Sequence, residues 1–326
     1  MVQILMATYN GAAYLQEQLE SLISQTYTQW ELIVRDDQST DETSNILATF
    51  AKRDSRIKVM DLQGRHGGAA INFSVLFDYA FDSASEYVMF SDQDDIWMND
   101  KVERSLNFIK ELENSSGKGN PTLVYGAFQF IAADGQIIDK DIPMPETLTL
   151  KNVISQNHAY GCTMIMNRAL VEMVGHIPHE VENHDYWVAL VAAAFGKAVF
   201  NPRKVIYYRQ HGGNVSGTVE RSSLKSRVLR YFDNPRVLLP ELRIRFQMLN
   251  MFWCLHKDRF QARDRKLMVA YLNAFRSSTL KLLMVMITNR IVKLGTMQTI
   301  AHYYAIFRLR SEIVKNHSSS SPMCHY

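Results

Sequence analysis

The first hundred residues alternate between short apolar runs of strand length and longer stretches with one apolar face. That alternation narrows the fold more than any other feature of the chain. Residues 2–7, 30–35, 57–60 and 87–90 are compact apolar runs. Between them Leu15, Leu19, Leu22 and Ile23, then Ile46, Leu47 and Phe50, then Phe73, Leu76, Phe77 and Ala80 recur at helical spacing, so each intervening segment buries one stripe. Ser39 and Glu42 have the S-x-x-E form of a capping box ahead of the second helix. Parallel strands need a crossover, so the expectation is an α/β sheet with helices on both faces.

Such sheets bind ligands outside the carboxyl ends of their strands. Three of those ends carry Thr8-Tyr9-Asn10, Asp36-Asp37 and Asp92-Gln93-Asp94-Asp95, and this convergence of polar groups argues for a nucleotide site. Three carboxylates within four residues repel one another, and a hard divalent cation, Mg²⁺ or Mn²⁺, makes such a cluster tolerable. A metal there implies a phosphate partner. An EF-hand is excluded, because Ile96 and Trp97 stand where a ligand and a glycine are required. The chain has neither G-x-G-x-x-G nor a Walker loop, which counts against a dinucleotide oxidoreductase and a P-loop ATPase.

Farther on, Val102, Leu106, Ile109 and Leu112 mark a helix, and residues 123–138 alternate around Asp134-Gly135 as a hairpin would. Residues 161–166 read as a strand, and residues 188–195 as an apolar helix with Gly196 as its stop. Asp185, just ahead of that helix, is open to two readings, a helix cap or a functional acid. A strand over 204–209 leads into a polar loop holding His211, a surface histidine or else a ligand for metal or phosphate.

Taken together, Ala7-Thr8-Tyr9-Asn10-Gly11, Arg35-Asp36-Asp37-Gln38-Ser39-Thr40-Asp41, Phe90-Ser91-Asp92-Gln93-Asp94-Asp95-Ile96-Trp97, Gly161-Cys162-Thr163-Met164, His184-Asp185-Tyr186-Trp187 and Tyr208-Arg209-Gln210-His211-Gly212 resemble, in order, the family-2 inverting glycosyltransferases. The similarity is strongest to bacterial rhamnosyltransferases. The resemblance implies the A-type glycosyltransferase fold, a Rossmann-like mixed sheet flanked by helices, over residues 1–216. It also implies a nucleotide-sugar donor, dTDP-rhamnose first and a UDP-hexose second, and a saccharide acceptor carried on a lipid. By the same resemblance Tyr9 would stack on the base, Asp37 would accept from its N3–H and Asp92 would hold the ribose. Thr8, Asn10, Arg65 and His211 would complete the donor site, and Asp94 helped by Asp95 would bind Mn²⁺ or Mg²⁺. Asp185 would be the general base, with Gly161, Cys162, His184 and Trp187 bordering the acceptor. His184 stands where many members have Glu, which leaves Glu182 as the nearest other acid.

Charge divides the chain in the same place. Residues 1–216 hold 17 Lys and Arg against 27 Asp and Glu, and residues 217–326 hold 19 against 6. The C-terminal region loses the strand rhythm; Leu224, Val228 and Tyr231, then Leu242, Phe246, Leu249 and Phe252, are spaced as helices. It reads as a basic helical region that packs on the catalytic part with a solvated basic face or docks on an anionic membrane surface, with a disordered tail from about residue 318. Its rival from another class is a nucleic-acid-binding tail beside a nucleotide sensor, but it lacks an interleaved aromatic and basic RNA motif, so no nucleic acid is expected. Three cysteines without metal-ligand spacing, no leader-like N-terminus and no membrane-length apolar run give a cytoplasmic reading, peripheral on the inner face of the bacterial membrane. A homo-oligomer is compatible with all of this.

Overall fold

A computed structural model describes residues 1–60, 67–212 and 231–315. Arg65, Leu224, Val228 and the tail from residue 318 lie outside the described residues. The chain forms two compact units. One holds residues 1–148, 158–179 and 183–218, and the other holds 149–157, 180–182 and 219–326.

The first unit begins as its periodicity predicts. β1 (Val2–Thr8), α1 (Ala12–Ile23), β2 (Trp30–Asp36), α2 (Thr43–Arg53), β3 (Ile57–Val59), α3 (Ala69–Asp82) and β4 (Tyr87–Ser91) alternate along the chain. Leu15, Leu19 and Leu22, and Phe73, Leu76 and Phe77, are all buried on the faces their spacing marks out. β5 (Ile96–Trp97), α4 (Lys101–Ser116), β6 (Thr122–Ala132), β7 (Ile165–Asn167), α6 (Arg168–Val174), α7 (His184–Phe195) and β8 (Lys197–Gln210) complete it, and α5 (Leu150–Ser155) belongs to the second unit.

The strands form one mixed sheet in the order β3-β2-β1-β4-β7-β6-β8-β5. The first four pair in parallel, β7 runs antiparallel to β4 and β6, β6 and β8 are parallel, and β5 is antiparallel to β8. Register does the positioning. Thr8 lies opposite Asp36 and Met6 opposite Ser91, so Tyr9, Asp37 and Asp92 leave the sheet side by side.

Several local expectations are corrected. Glu42, not Ser39, precedes α2, and its side chain makes no cap bond. Ser39 is instead taken up by the strand ends, donating to Asp36 and accepting from the Asn10 amide at 2.8 Å. Residues 161–163 form a 3₁₀ turn, which leaves β7 only three residues. The hairpin around Asp134-Gly135 is short, one bridge between Ile131 and Ile137 flanked by the Ile138 amide donating to the Phe130 carbonyl at 2.9 Å and the Ala132 amide to the Gln136 carbonyl at 2.8 Å. Gly196 ends α7 with φ at −143°, so it is not a left-handed stop. Its reason is proximity, since a Cβ there would lie 2.3 Å from the Pro121 carbonyl.

The second unit is helical. A 3₁₀ turn (Pro235–Leu238) leads to α8 (Leu239–His256), α9 (Ala262–Ser277), α10 (Thr279–Thr288) and α11 (Thr296–Lys315). Phe246 stacks on Phe275 at 4.3 Å, and Leu249, Phe252, Met268 and Leu272 are buried with them. Arg245, with its side chain 7% exposed, bonds Glu182 and Glu241 at 2.7 and 2.8 Å and the Ser155 carbonyl at 2.9 Å. A buried guanidinium is stable there because its Nε, Nη1 and Nη2 each donate to an acceptor. No helix among the described residues is long and apolar enough to cross a membrane.

Candidate active site

A crevice of about 340 Å³ opens at the carboxyl ends of β1, β2 and β4. Its walls include Thr8, Tyr9, Asp37, Asn72, Asp92, Asp94, Gly161, Cys162, His184 and Asp185. Groups from six separate stretches therefore meet, those after β1, β2 and β4 brought together by strand register.

The donor-side loop is built from backbone outward. Thr8 donates to Asp36 at 2.8 Å. The Gln93 amide brackets Tyr9, accepting from its N–H at 2.8 Å and donating to its carbonyl at 3.0 Å, and the Tyr9 ring stays 56% exposed. A Cβ at Gly11 would sit 2.3 Å from Gln93 Oε1 and push that amide off Tyr9. Asp37 accepts from the Gly68 amide at 3.0 Å and faces Arg35 at 3.5 Å. Asn72 accepts from Arg35 at 2.9 Å and donates to the Arg35 carbonyl at 3.1 Å. Asn10 does not reach the crevice wall. With φ at +46° it closes its own loop, its side-chain oxygen accepting from the Thr40 amide at 2.8 Å.

The three carboxylates separate. Asp94 stays in the wall and meets His211 Nε2 at 2.7 Å, so His211 reaches the crevice through Asp94. Asp95 turns inward, fully buried, and accepts from the Arg209 amide at 3.0 Å. The chain bends at Gln93 and Asp94, and past the bend Asp95 is carried into the core beside β8. Arg209, buried beneath them, donates to the carbonyls of Asp94 and Ala133, each at 2.9 Å, and to Glu17. Burial and the charges of Asp94 and Asp185 push the pKa of Asp92 up to about 7. Burial likewise raises Asp95, and with the neighbouring carboxylates it raises the Cys162 thiol.

Two donor sets could meet a cation. Asp94 with His211 offers a carboxylate and an imidazole, each about one-sixth exposed, which suits a divalent ion such as Mn²⁺. Asp92, Asp95 and Cys162 bring ligand atoms within 4.8 Å of one another. That second set is deeply placed and its thiol is held protonated, which serves a hard cation poorly.

Asp185 lies in the first turn of α7, and its Oδ2 accepts from the Gly161 amide at 3.0 Å. It is therefore not the helix cap, which is Asn183. Gly161 is required by contact. A Cβ there would be 2.9 Å from His184 Nε2 and 3.3 Å from the Asp185 Cβ. His184 is 8% exposed and stacked on Phe73 at 3.7 Å, and burial holds its pKa down at about 3. Glu182 is absent from the crevice wall and paired with Arg245, so Asp185 is the acid that the crevice receives. Trp187 is core, 1% exposed, because two helical steps of ~100° turn it away from the side that Asp185 faces.

Lys101 gives no signal in the sequence, since a lysine opening a helix reads as solvated. It is fully buried, stands 3.2 Å over the Trp97 ring and donates to the Cys162 carbonyl. Burial brings its pKa down to about 7. Asn72 did leave a signal, being a lone amide on the apolar face of α3. Arg209 and Gln93 carried none beyond their place in the motifs.

A family profile, "Glycosyl transferase family 2", matches residues 3–174. It ends before Asp185 and His211, so those two positions rest on geometry. A Bacillus subtilis (strain 168) glycosyltransferase named for teichuronic acid biosynthesis, TuaG, is 32% identical over 166 residues, 51% of this chain and 61% of that protein. The match thus spans less than two thirds of that relative. The dTDP-rhamnosyl transferase RfbG of Shigella flexneri is 28% identical over 65% of this chain and 73% of its own length. The Escherichia coli UDP-Glc:alpha-D-GlcNAc-diphosphoundecaprenol beta-1,3-glucosyltransferase WfgD is 29% identical over 59% and 70%. Among solved structures, S. aureus TarS 1-349 in complex with UDP-GlcNAc superposes with a TM-score of 0.57 at 17% identity, covering 95% of this chain and 81% of that one. At that identity the likeness speaks for the fold alone.

Proposed function

The chain belongs to glycosyl transferase family 2, and from that premise we propose that it moves a sugar from a nucleotide donor onto an acceptor hydroxyl of a cell-surface polysaccharide precursor, with inversion. The observation that carries this reading is that Asp185, Asp92 and Asp94 line one crevice. A base and an acidic, cation-suited edge in one crevice are what a displacement at an anomeric carbon needs.

In this reading Tyr9 offers its exposed ring to the base, Asp37 accepts from the base N3–H and Asp92 holds the ribose. Asp185 takes the proton of the acceptor hydroxyl as it attacks from the side opposite the leaving nucleoside diphosphate. The Gly161 amide fixes the orientation of that carboxylate. Asp94 and His211 would hold a divalent cation, which when bound neutralises charge on the departing diphosphate. Cys162 and His184 border the acceptor side through their backbone and ring, while Trp187 supports α7 from within.

The donor is read as dTDP-rhamnose, supported by the likeness to RfbG over the largest share of this chain among the three relatives named. A UDP-hexose is the second reading, favoured by the likeness to WfgD. The acceptor is read as lipid-linked, which puts the work at the inner face of the membrane. Release of nucleoside diphosphate from a panel of dTDP- and UDP-sugars, with Mn²⁺, Mg²⁺ or EDTA and with Asp94→Ala alongside, tests it. Cation-dependent turnover of dTDP-rhamnose, lost in the variant, is the expected result. Turnover of UDP-hexoses alone would move the donor, and no turnover or binding of any sugar nucleotide would overturn the transferase reading.

A further inference from the structure

Between Arg265 and Ser311 the chain has no Asp or Glu and eight Lys or Arg. Within that acid-free stretch α10 is apolar on two opposite faces. Leu282 and Met286 are fully buried and anchor the helix to its unit. Leu280, Met284 and Ile287, spaced i, i+4 and i+7 on the other side, are 72%, 66% and 60% exposed. A helix apolar all round belongs in a core or against lipid, and here half of it is bare. Met297 and Ile300, in the first turns of α11, are each 48% exposed. Of the fifteen exposed large hydrophobic residues among those described, seven fall between Leu280 and Ile300. Lys281 and Arg290, both exposed, flank the stripe.

Charge decides what covers this face. A second copy would bring the exposed Lys281 and Arg290 of two identical faces together, and like charges at a closing interface repel. An anionic headgroup layer satisfies the cations and receives the apolar side chains beneath them. Ten residues of α-helix span only ~15 Å, half the hydrocarbon core, so α10 can lie in the surface but not cross.

We propose that the outer face of α10, continued by the first turn of α11, docks on an anionic lipid bilayer, with Leu280, Met284 and Ile287 entering the headgroup boundary and Lys281 and Arg290 meeting lipid phosphates. The proposal rests on the transferase reading only for why the enzyme needs a membrane. The docking itself is measured without donor or acceptor.

The full chain is sedimented with vesicles of phosphatidylcholine alone and of phosphatidylcholine mixed with phosphatidylglycerol, at low and high salt. The wild type partitions to the anionic vesicles about tenfold or more over the neutral ones, and less as salt rises. Leu280→Asp with Met284→Asp lowers partition about tenfold or more, while release of nucleoside diphosphate in solution, measured without vesicles, is unchanged. Lys281→Glu with Arg290→Glu removes the preference for anionic lipid and keeps the fold testable if the first pair disturbs it. Wild-type protein that stays in solution with anionic vesicles overturns the proposal. So does a double Asp variant that sediments like wild type, or a dimer that the variant abolishes without any vesicle binding. Failure of sugar-nucleotide turnover, by contrast, leaves the vesicle result intact.

Discussion

His184 gives the most quantitative handle on this fold. Its ring is stacked on Phe73 at 3.7 Å and edge-on to Phe90 at 4.7 Å, and its Nε2 has no hydrogen-bond partner. Burial disfavours the imidazolium and lowers the pKa to about 3 from an ordinary 6.5. Above the ordinary value the ring is neutral folded and unfolded, and contributes no pH dependence. Below it the unfolded chain takes up a proton that the folded chain refuses, so stability falls by ~1.4 kcal/mol per pH unit until the folded pKa is reached. Between pH 8 and pH 5 the loss is about 2 kcal/mol, a large share of the 5–15 kcal/mol typical of a domain. His184→Leu, of similar volume, removes the titration. Urea unfolding of both proteins at pH 8, 6.5 and 5 can be followed by tryptophan fluorescence, since Trp30, Trp97 and Trp187 all lie in the unit that holds His184. The readout is the difference between wild type and variant, so His256 and His302, common to both, cancel. The difference should shift by about 2 kcal/mol against wild type as pH falls to 5. Parallel stabilities across the series would refute a buried, neutral His184.

Asp185→Asn should lower kcat by about 10²–10⁴-fold while leaving nucleoside diphosphate affinity, measured by calorimetry, unchanged. Gly161→Ala inserts a methyl 2.9 Å from His184 Nε2 and should displace Asp185, cutting kcat about 10²-fold at unchanged donor KM in steady-state assays. Arg245→Met leaves Glu182 without its buried cation, and chemical denaturation should show a loss of about 3–5 kcal/mol in the second unit.

Much of this was legible because period and position carry it. The stripes of α1 and α3 and the apolar runs of β1, β2 and β4 follow directly from residue spacing, and polar residues just past strand ends had to share one edge. What sequence could not supply were choices made by neighbours distant in the chain. Ser39 fits a capping box, yet Asp36 and Asn10 compete for it and win. Asp94 and Asp95 look equivalent until β8 arrives with the Arg209 amide and claims the second. Lys101 gives no hint of burial, because its partners are an indole and a carbonyl far along the chain. Gly196 resembles a helix stop, but the contact that demands it comes from Pro121.

The strand order holds one more consequence. β4 ends at Ser91 and β5 begins at Ile96, yet they stand fourth and last in the sheet. Four neighbouring steps across a flat sheet cover about 19 Å. Five Cα steps at full stretch reach only about 18 Å, and the acidic segment is bent, not stretched. A flat sheet is therefore unavailable to this chain, and the strands must roll toward one another. The acidic segment works as a drawstring whose length sets how far the roll closes. Two residues added there would let it slacken, moving Asp92 and Asp94 apart from Asp185 without altering any of the three.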